Sequence, residues 1–214
     1  MSNDADTIAR ATDGDEAAQR ALYEAYHAAA FRLAYLLLGE PGDAEEVVQD
    51  TFVYLFRNLR RYDAGRGSLW AWLRVALVSR CRNKRRRQQL PLVSLEALDD
   101  ADQAPADPAP ANDPAGAVEL QGARRAVWEA LQRVSPGARE ALTLRYYESL
   151  SYDEIAAALG CSPEAARARV SHGKAQLRQL LTEREGREGR EGREGREGGR
   201  LSLAGELVGT RGSS

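Results

Sequence analysis

Apolar residues recur at steps of three and four along most of the chain, which is the period of α-helices with one buried face. No segment shows a convincing alternation of β-branched and polar residues, so no strand is predicted. The first apolar stripe consists of Leu22, Tyr26, Ala29, Leu33 and Leu36. It stops at Gly39, and Pro41 and Gly42 follow, so the predicted helix ends there. The pattern therefore predicts an all-α fold.

Two more helices are predicted before residue 90. The second helix carries its apolar stripe at Ala44, Val48, Phe52, Leu55 and Leu59. Acidic residues fill its first turn, where the helix dipole favours negative charge. The third helix is predicted to begin after Ser68 as N-cap and to run from Leu69 through Leu77 into a block of arginines.

The chain then changes character. Residues 90–117 hold five prolines within an acidic, alanine-rich segment, which predicts a flexible linker. A second helical unit is predicted over residues 118–182, with Ser135 and Ser162 as N-caps and a proline after each. The first unit spans residues 15–89, so the chain is predicted to hold two small helical domains.

Both ends of the chain are predicted to be disordered. The N-terminus, residues 1–14, is acidic and lacks the basic-then-apolar pattern of a signal peptide. The C-terminal segment, residues 183–214, begins with an Arg-Glu-Gly repeat. Each of the five glycines in that repeat would cost a helix about 1 kcal/mol relative to alanine.

The sharpest motif is a predicted helix-turn-helix over residues 151–178. Ser151 and Glu154 have the spacing of a capping box, which starts a short helix. Gly160 breaks that helix, and a second one starts after Ser162. The second helix has a predicted buried stripe at Ala166, Val170, Gly173, Leu177 and Leu180. Its other face carries Arg167, Arg169, Ser171, His172, Lys174, Gln176 and Arg178.

This arrangement is typical of proteins that place a recognition helix in the major groove of duplex DNA, where arginine can bond guanine through two hydrogen bonds. The alternative is an ordinary helical hairpin whose basic residues only solvate one face. Glu164, near the start of the second helix, has two interpretations. It accepts a hydrogen bond from cytosine N4, or it interacts with the helix dipole.

The formal net charge of −2 conceals a strong asymmetry along the chain. Residues 1–50 hold eleven acids and three bases, whereas residues 54–89 hold eleven bases and one acid. Such a dense basic block between acidic neighbours indicates a polyanionic partner. Arginine accounts for 28 of the 30 bases, so the clustering, rather than any single arginine, carries this inference.

Aromatic residues are interleaved with this positive charge. Trp70 and Trp72 lie between Arg66 and Arg74. This composition suits single-stranded nucleic acid, whose bases stack on rings while arginines bind the phosphates. The spacing of Trp72 from its apolar neighbours favours a core position instead, which leaves Trp70 as the more accessible ring. The basic run 82–87 is predicted to contact phosphates.

Several classes of protein are not supported by the sequence. The longest uncharged apolar stretch, residues 33–39, is far too short to span a bilayer, and the two cysteines lie 80 positions apart. Neither histidine, His27 nor His172, has a partner at a catalytic or metal-ligating spacing. We therefore expect a cytoplasmic protein that is not an enzyme and that needs neither a cofactor nor a metal.

Three stretches carry recognisable motifs. Residues 43–52 read DAEEVVQDTF, residues 67–73 read GSLWAWL and precede a basic helix, and residues 146–156 read YYESLSYDEIA. Together they resemble the polymerase-binding, promoter −10 and promoter −35 segments of bacterial sigma-70 family sigma factors, specifically the extracytoplasmic-function (ECF) group. One departure lies in the recognition helix. Residues 164–170 read EAARARV in place of the common GTVKSRL, which keeps both basic positions but loses the threonine.

The resemblance implies a sigma-2-like helical bundle, a sigma-4-like helix-turn-helix domain and three sets of contacts. The residues implied to bind core RNA polymerase are Asp43, Glu45, Glu46, Gln49, Asp50 and Phe52. Those implied to bind the melted non-template strand at −10 are Arg66, Trp70, Arg74, Arg80, Asn83, Lys84 and Arg87. Those implied to bind the −35 duplex are Glu164, Arg167, Ala168, Arg169, Ser171, His172 and Lys174. The family also implies an anti-sigma factor as partner and no small-molecule substrate.

Two other functions are compatible with parts of the pattern. A stand-alone DNA-binding regulator would use the helix-turn-helix as a dimer, without polymerase. A helical interaction protein would use the basic block to bind RNA or a membrane. The segment 43–56 and the two-part architecture favour the sigma factor over both.

Overall fold

The computed structural model describes residues 2–89 and 114–208. All regular elements within these two ranges are helical, which confirms the all-α prediction. None of the helices described there is long and apolar enough to cross a membrane. The predicted linker, 90–117, lies outside the described residues except for its last four, which open a helix.

The first unit is a bundle in which the predicted apolar stripes meet. Its helices are α1 (Ser2–Thr12), α2 (Glu16–Leu38), α3 (Pro41–Asn58) and α4 (Leu69–Gln89). Helix α2 packs against both α3 and α4, and their stripes form a single core. The fully buried side chains of this core include Leu33, Leu37, Leu55, Leu73 and Leu77. Ser68 caps α4 as predicted, because its Oγ accepts a hydrogen bond from the backbone N–H of Ala71 at 3.2 Å.

The N-terminal residues differ from the prediction of disorder over residues 1–14. Residues Ser2–Thr12 form α1, in which Ala11 is only 1% exposed. Asp15 caps α2 and also accepts a hydrogen bond from Arg10 Nη2 at 2.6 Å. One ion pair and one buried alanine therefore help to hold the corner between α1 and α2. Features this small do not produce an apolar stripe that the sequence analysis could recognise.

The second unit holds the helix-turn-helix. Its elements are α5 (Pro114–Arg133), α6 (Pro136–Leu142), a π-helical turn (Thr143–Tyr147), α7 (Tyr152–Leu159) and α8 (Pro163–Val208). The π-helical turn directly follows α6 and carries the buried Leu144. Ser135 is the N-cap residue of α6 and Pro136 follows it, as predicted. The Ser135 hydroxyl makes no capping hydrogen bond but donates to Gln176 Oε1 at 3.0 Å, which ties the start of α6 to α8.

Helix α8 extends further than predicted. Its backbone stays helical through the Arg-Glu-Gly repeat to Val208, whereas the sequence analysis predicts disorder from residue 183.

The two units meet at the C-terminus of α2. Gly39 ends this helix with a left-handed φ of 85° and lies so close to Gln132 that a Cβ atom would stand 2.4 Å from its Oε1. The Leu37 carbonyl accepts hydrogen bonds from Arg139 Nη1 at 3.3 Å and from Arg85. Because the last turn of α2 has no basic residue of its own, these two cations supply the positive charge that its dipole favours. We call this cluster the α2 joint.

A glycine where α8 crosses α6 provides a test of this packing. A Cβ added at Gly173 would stand 2.8 Å from Leu142 Cδ1 and 3.2 Å from Ala138 Cβ. We predict that Gly173→Ala lowers the free energy of unfolding by about 1 kcal/mol, because overpacking costs about 1–3 kcal/mol and exceeds the gain in helix propensity. The control Gly122→Ala, with open space around it in α5, should raise that free energy by up to about 1 kcal/mol. Thermal unfolding followed by circular dichroism measures both, and stabilisation by both substitutions would contradict the packing.

Candidate nucleic-acid interface

The helix-turn-helix forms through the local hydrogen bonds that the sequence predicts. Ser151 Oγ accepts from Glu154 N at 3.3 Å, and Glu154 Oε2 accepts from Ser151 N at 2.8 Å, so both halves of the capping box are present. Gly160 ends α7 with a left-handed φ of 60°. Ser162 Oγ then accepts from Ala165 N at 3.2 Å. These caps fix where the recognition helix, formed by the first turns of α8, begins.

The outer face of the recognition helix is open to solvent. Six of the seven residues predicted to contact duplex DNA are exposed: Glu164, Arg167, Ala168, Ser171, His172 and Lys174. The seventh, Arg169, is half-buried and lines a cleft between α4 and α6. The helix therefore places most of the predicted contacts on its accessible surface.

Glu164 is tied to the start of α8. Hydrogen bonds from its own backbone N–H and from the Ser162 hydroxyl lower the pKa of its carboxyl, and the charge of Arg167 adds a smaller effect. This environment favours the interpretation in which Glu164 interacts with the helix N-terminus.

Tyr152 organises two arginines around its ring. The guanidinium carbons of Arg145 and Arg167 each lie 5.0 Å from the centroid of the Tyr152 ring, within the range of cation–π attraction. Arg145 is itself fixed, because it donates to the Leu150 carbonyl at 2.6 Å. Sequence reasoning missed Tyr152, since it precedes Arg167 by fifteen residues and no local spacing links the two.

Trp70 and Arg74 on α4 share one acceptor in the second unit. Glu148 Oε2 accepts hydrogen bonds from Trp70 Nε1 at 2.9 Å and from Arg74 Nη1 at 3.1 Å. Trp70 and Trp72 are both half-buried, so the greater accessibility of Trp70 stays a prediction. The Trp70 ring stacks on that of Tyr26 with the centroids 6.2 Å apart. The sequence gives no sign of this, because Glu148 lies 78 residues further along the chain.

The other residues predicted for the −10 strand are spread over α4 and the loop before it. Arg80 lies over the ring of Tyr54, 4.3 Å from its centroid. The Trp72 ring lies 6.3 Å from that of Tyr54 and 6.0 Å from that of Tyr62, which agrees with the predicted packing role. The exposed members of the predicted set are Arg66, Asn83 and Arg87.

The cleft between α4 and α6 has a volume of about 470 Å³ and is strongly basic. The arginines that line it are Arg82, Arg85, Arg86 and Arg169. Glu140 lines it as well, and burial raises the pKa of its carboxyl while the charges of the neighbouring arginines oppose that rise. Since four cations face one carboxyl group, positive charge is in excess and the cleft favours anions.

The polar face of α3 is accessible, as predicted. Its exposed or half-buried members are Asp43, Glu45, Glu46, Gln49 and Asp50. Phe52, assigned to the same contact set, is 3% exposed, and its ring packs against that of Tyr23 with the centroids 4.8 Å apart. In the free chain this side chain belongs to the apolar stripe of α3, and its assignment as a polymerase contact stays a prediction.

Lys84 connects the acidic face of α3 to the basic helix α4. Its Nζ lies 3.1 Å from Asp43 Oδ1 and 2.5 Å from Glu46 Oε2. The hydrogen bond to Glu46 raises the pKa of Lys84. Lys84 is predicted to contact DNA, but in this conformation it forms ion pairs with two carboxylates.

Family comparisons cover both units. Residues 22–90 match sigma-70 region 2, and residues 124–177 match sigma-70 region 4. The chain therefore belongs to the sigma-70 family, and its relatives include sigma factors of the ECF group.

Three of these relatives show the extent of the similarity. The ECF RNA polymerase sigma factor SigE of Mycolicibacterium smegmatis is 35% identical over 158 residues, which are 72% of this chain and 57% of SigE. The RNA polymerase sigma factor CarQ of Myxococcus xanthus is 36% identical over 66% of this chain and 76% of CarQ. The ECF RNA polymerase sigma factor SigK of Mycobacterium sp. (strain JLS) is 30% identical over 85% of this chain and 92% of SigK. This chain thus spans little more than half of SigE but most of CarQ and SigK.

Two solved structures have the same fold. CnrH, in complex with the cytosolic domain of CnrY, is 26% identical with a TM-score of 0.55 over 82% of this chain and 95% of that chain. The sigma factor RpoE of Bartonella quintana, in complex with the anti-sigma factor NepR, is 24% identical with a TM-score of 0.55 over 76% and 96% of the two chains.

The ring of Tyr152 offers a test of the recognition helix. We predict that Tyr152→Ala weakens binding to duplex DNA carrying a −35 element about 2- to 5-fold, because an exposed cation–π contact contributes about 0.5–1 kcal/mol. Tyr152→Ala should also reduce the preference for one base pair over the others at the position nearest Arg167. Tyr152→Phe keeps the ring and should remain within about twofold of the unmodified protein. Fluorescence anisotropy with duplexes substituted one base pair at a time measures both effects. Equal losses in the two variants would assign the effect to the tyrosine hydroxyl instead.

Proposed function

We propose that this protein binds core RNA polymerase and directs it to initiate transcription at promoters with particular −35 and −10 elements. The observation that supports this most is the presence of two unlike nucleic-acid surfaces in one chain. An exposed basic recognition helix suits duplex DNA, whereas a helix with interleaved aromatic and basic residues suits unpaired strands. A promoter presents both duplex DNA and unpaired strands, whereas a stand-alone regulator needs only a surface for duplex DNA.

The recognition helix is proposed to read the −35 duplex. Arg167 and Lys174 lie on its exposed face and can reach base edges or phosphates in the major groove. Tyr152 limits the freedom of the Arg167 side chain before DNA arrives, so less conformational entropy is lost on binding. Ser171 and His172 extend the same surface.

Helix α4 is proposed to hold the melted non-template strand at −10. The indole of Trp70 can stack on an unpaired base, and the guanidinium of Arg74 can pair with a nearby phosphate. Unstacking a base from duplex DNA costs a few kcal/mol, so a site that holds the extruded base offsets part of that cost. Arg66 and Arg87 add exposed positive charge at the two ends of the helix.

The polar face of α3 is proposed to bind the polymerase. Glu46, Gln49 and Asp50 are exposed there, and a basic surface on the polymerase would complement them. Nucleotide addition then belongs to the polymerase, and this chain supplies recognition only. We accordingly place its site of action in the cytoplasm, with the polymerase and the promoter.

An anti-sigma factor is the second protein partner that we propose. An apolar groove of about 770 Å³ runs between α5, the π-helical turn and α8, and it is lined in part by Leu131, Tyr146 and Leu177. Tyr146 is 60% exposed and Tyr147 and Val127, which also line the groove, are each 45% exposed, so a contiguous apolar patch is open to a partner. The structure of CnrH with the cytosolic domain of CnrY supports a protein partner for this fold.

Run-off transcription with purified core polymerase tests the proposed function. We predict transcripts with defined 5′ ends that appear only when the protein is added to core polymerase and a genomic promoter library. A stand-alone regulator would bind DNA without changing where transcripts begin. Initiation at the same positions with and without the protein would therefore rule out the sigma-factor function.

Substitutions on α3 test the polymerase contact separately. We predict that Gln49→Ala combined with Asp50→Ala reduces capture of core polymerase about 10-fold or more, because polar hot-spot residues typically contribute more than 1 kcal/mol each. Helicity should be unchanged, since both side chains are exposed. Glu24→Ala, which removes one exposed charge from α2, is the matched control and should bind normally. Equal capture of the double variant and the control would show that the polymerase does not bind through this face of α3.

A further inference from the structure

The basic cleft between α4 and α6 holds more positive charge than its own residues neutralise. Four arginines line it, three from α4 and Arg169 from α8, and Glu140 is the one acid among the described residues that line it. The cleft therefore has an excess of three positive charges. Its volume of about 470 Å³ lies within the range of about 300–1,000 Å³ that is usual for small-ligand sites.

Two of the arginines are held in place by protein acceptors. Arg85 Nη1 lies 3.1 Å from Glu140 Oε1, and Arg85 also donates to the Leu37 carbonyl. Arg82 Nε lies 3.5 Å from Glu140 Oε2, and its Nη1 donates to the Leu159 carbonyl at 2.8 Å. A guanidinium group has five N–H donors, so these contacts orient both side chains and leave most of their donors to a ligand. Side chains that are already ordered lose less conformational entropy when a ligand binds.

The other two arginines have little or no internal pairing. In the part of the chain that the structure describes, Arg169 has no hydrogen-bond or ion-pair partner, and its charge acts on Glu140 only at longer range. A Cβ added at Gly137 would stand 3.9 Å from Arg169 Nε, so the glycine leaves that side of the guanidinium uncovered. Arg86 is exposed and donates to Asn83 Oδ1 at 3.4 Å. These two cations are therefore available to an anion from outside the chain.

The remaining lining residues indicate which part of a ligand is recognised. Ser79 and Asn83 are four positions apart on α4, so their hydroxyl and amide groups lie on the same side of that helix. Both groups can donate to oxygen atoms. The described lining includes no aromatic ring on which a base could stack. Recognition therefore depends on oxygen anions rather than on a nucleobase.

We propose that this cleft binds a diphosphate group, either as free pyrophosphate or as part of a nucleotide. Arginine pairs with phosphate oxygens through two parallel hydrogen bonds, and a diphosphate has enough oxygens for more than one such pair. A single phosphate group carries a charge of about −1.5 to −2 at pH 7, which is less than the excess of the cleft. Since Arg169 belongs to the second unit and the other three arginines to α4, the ligand would bridge the two units.

A compact anion suits this cleft better than a nucleic-acid strand does. Toward the start of α4, the ion pair of Arg74 with Glu148 joins the two units at 3.1 Å. The cleft therefore does not continue in that direction as the open groove that a strand would follow. The proposal does not depend on the proposed function, because the free chain alone would bind the ligand.

Titration calorimetry of the full-length free protein tests the site with sodium pyrophosphate, adenosine diphosphate and sodium orthophosphate. The ionic strength is kept constant, because salt screens such interactions. We expect pyrophosphate to bind at least about 10-fold tighter than orthophosphate, because it forms more charge-assisted hydrogen bonds. Binding of adenosine diphosphate that is equal to or tighter than that of pyrophosphate supports a nucleotide ligand, and weaker binding supports free pyrophosphate. Orthophosphate binding as tightly as pyrophosphate, or no binding of either, would overturn the proposal.

Substitutions of Arg169 locate the binding. We expect Arg169→Gln to weaken pyrophosphate binding about 10-fold, because a hydrogen bond to a charged group contributes about 1.5–3 kcal/mol. Arg169→Lys keeps the charge but loses the planar fork, so its affinity should be intermediate. The matched control is Arg124→Gln, which removes an exposed arginine of α5 outside the cleft and should bind normally. Equal affinity of Arg169→Gln and the control would show that the cleft is not the site.

A further measurement uses the unmodified chain and is independent of how the variants fold. Saturating pyrophosphate should slow hydrogen exchange in residues 79–86 and 136–142, and unchanged exchange in both segments would overturn the proposal. Single-stranded DNA is the competing ligand. If Arg169→Gln weakens binding of a 20-nucleotide single strand while pyrophosphate does not bind, the cleft belongs to a nucleic-acid site instead. These assays contain neither polymerase nor promoter, so their failure would leave the run-off test of the proposed function unaffected.

Discussion

The arrangement of the two units depends on which donors bind the last carbonyl groups of α2, which have no partner within the helix. A helix C-terminus that is buried against other elements needs donors, and α2 has no basic residue in its last turn. Gln132 donates to the Leu36 carbonyl at 3.2 Å, while Arg139 and Arg85 donate to that of Leu37. Burial lowers the pKa of Arg139 to about 10, so its charge persists at neutral pH, and loss of its acceptors would leave a buried cation unpaired. The α2 joint thus links the helix that organises the first core to the two helices that begin the second unit.

The remaining ion pairs join residues that are proposed to bind the polymerase or DNA. Lys84 pairs with acids of α3, and Glu148 pairs with Arg74, so residues proposed to bind partners are bound to one another in the free chain. These side chains are largely covered in the free chain, and a covered charge without a partner is costly. In the proposed function each internal pair is exchanged for an external one, so the net free energy of partner binding is a difference between two similar interactions. Differences of this kind are sensitive to a single side chain.

Local signals in the sequence predict the helices and their caps, because those depend on residues three or four positions apart. The capping box at Ser151 and the stop at Gly39 are of this type. The family comparisons agree with the resemblance drawn from the motifs. What could not be predicted depends on residues that meet only after folding. The partner of Trp70 lies 78 residues away, and Phe52 belongs to both a family motif and an apolar stripe, so only packing decides where its side chain points.

The two proposed DNA surfaces differ in their accessibility, and that difference implies an order in which the two promoter elements are bound. The outer face of the recognition helix is exposed in the closed chain, whereas Trp70 and Arg74 are covered. Duplex DNA could therefore meet the recognition helix whether the units are closed or separated. An unpaired strand could reach α4 only after Glu148 has left it. Unpaired bases arise only when the duplex opens. Covering the α4 surface until then therefore does not weaken binding to duplex DNA during the search for a promoter. It also keeps a basic and aromatic helix from binding unrelated single strands in the meantime. On this argument the Glu148 contact contributes to specificity by excluding competitors, while affinity for the promoter comes from the contacts that replace it.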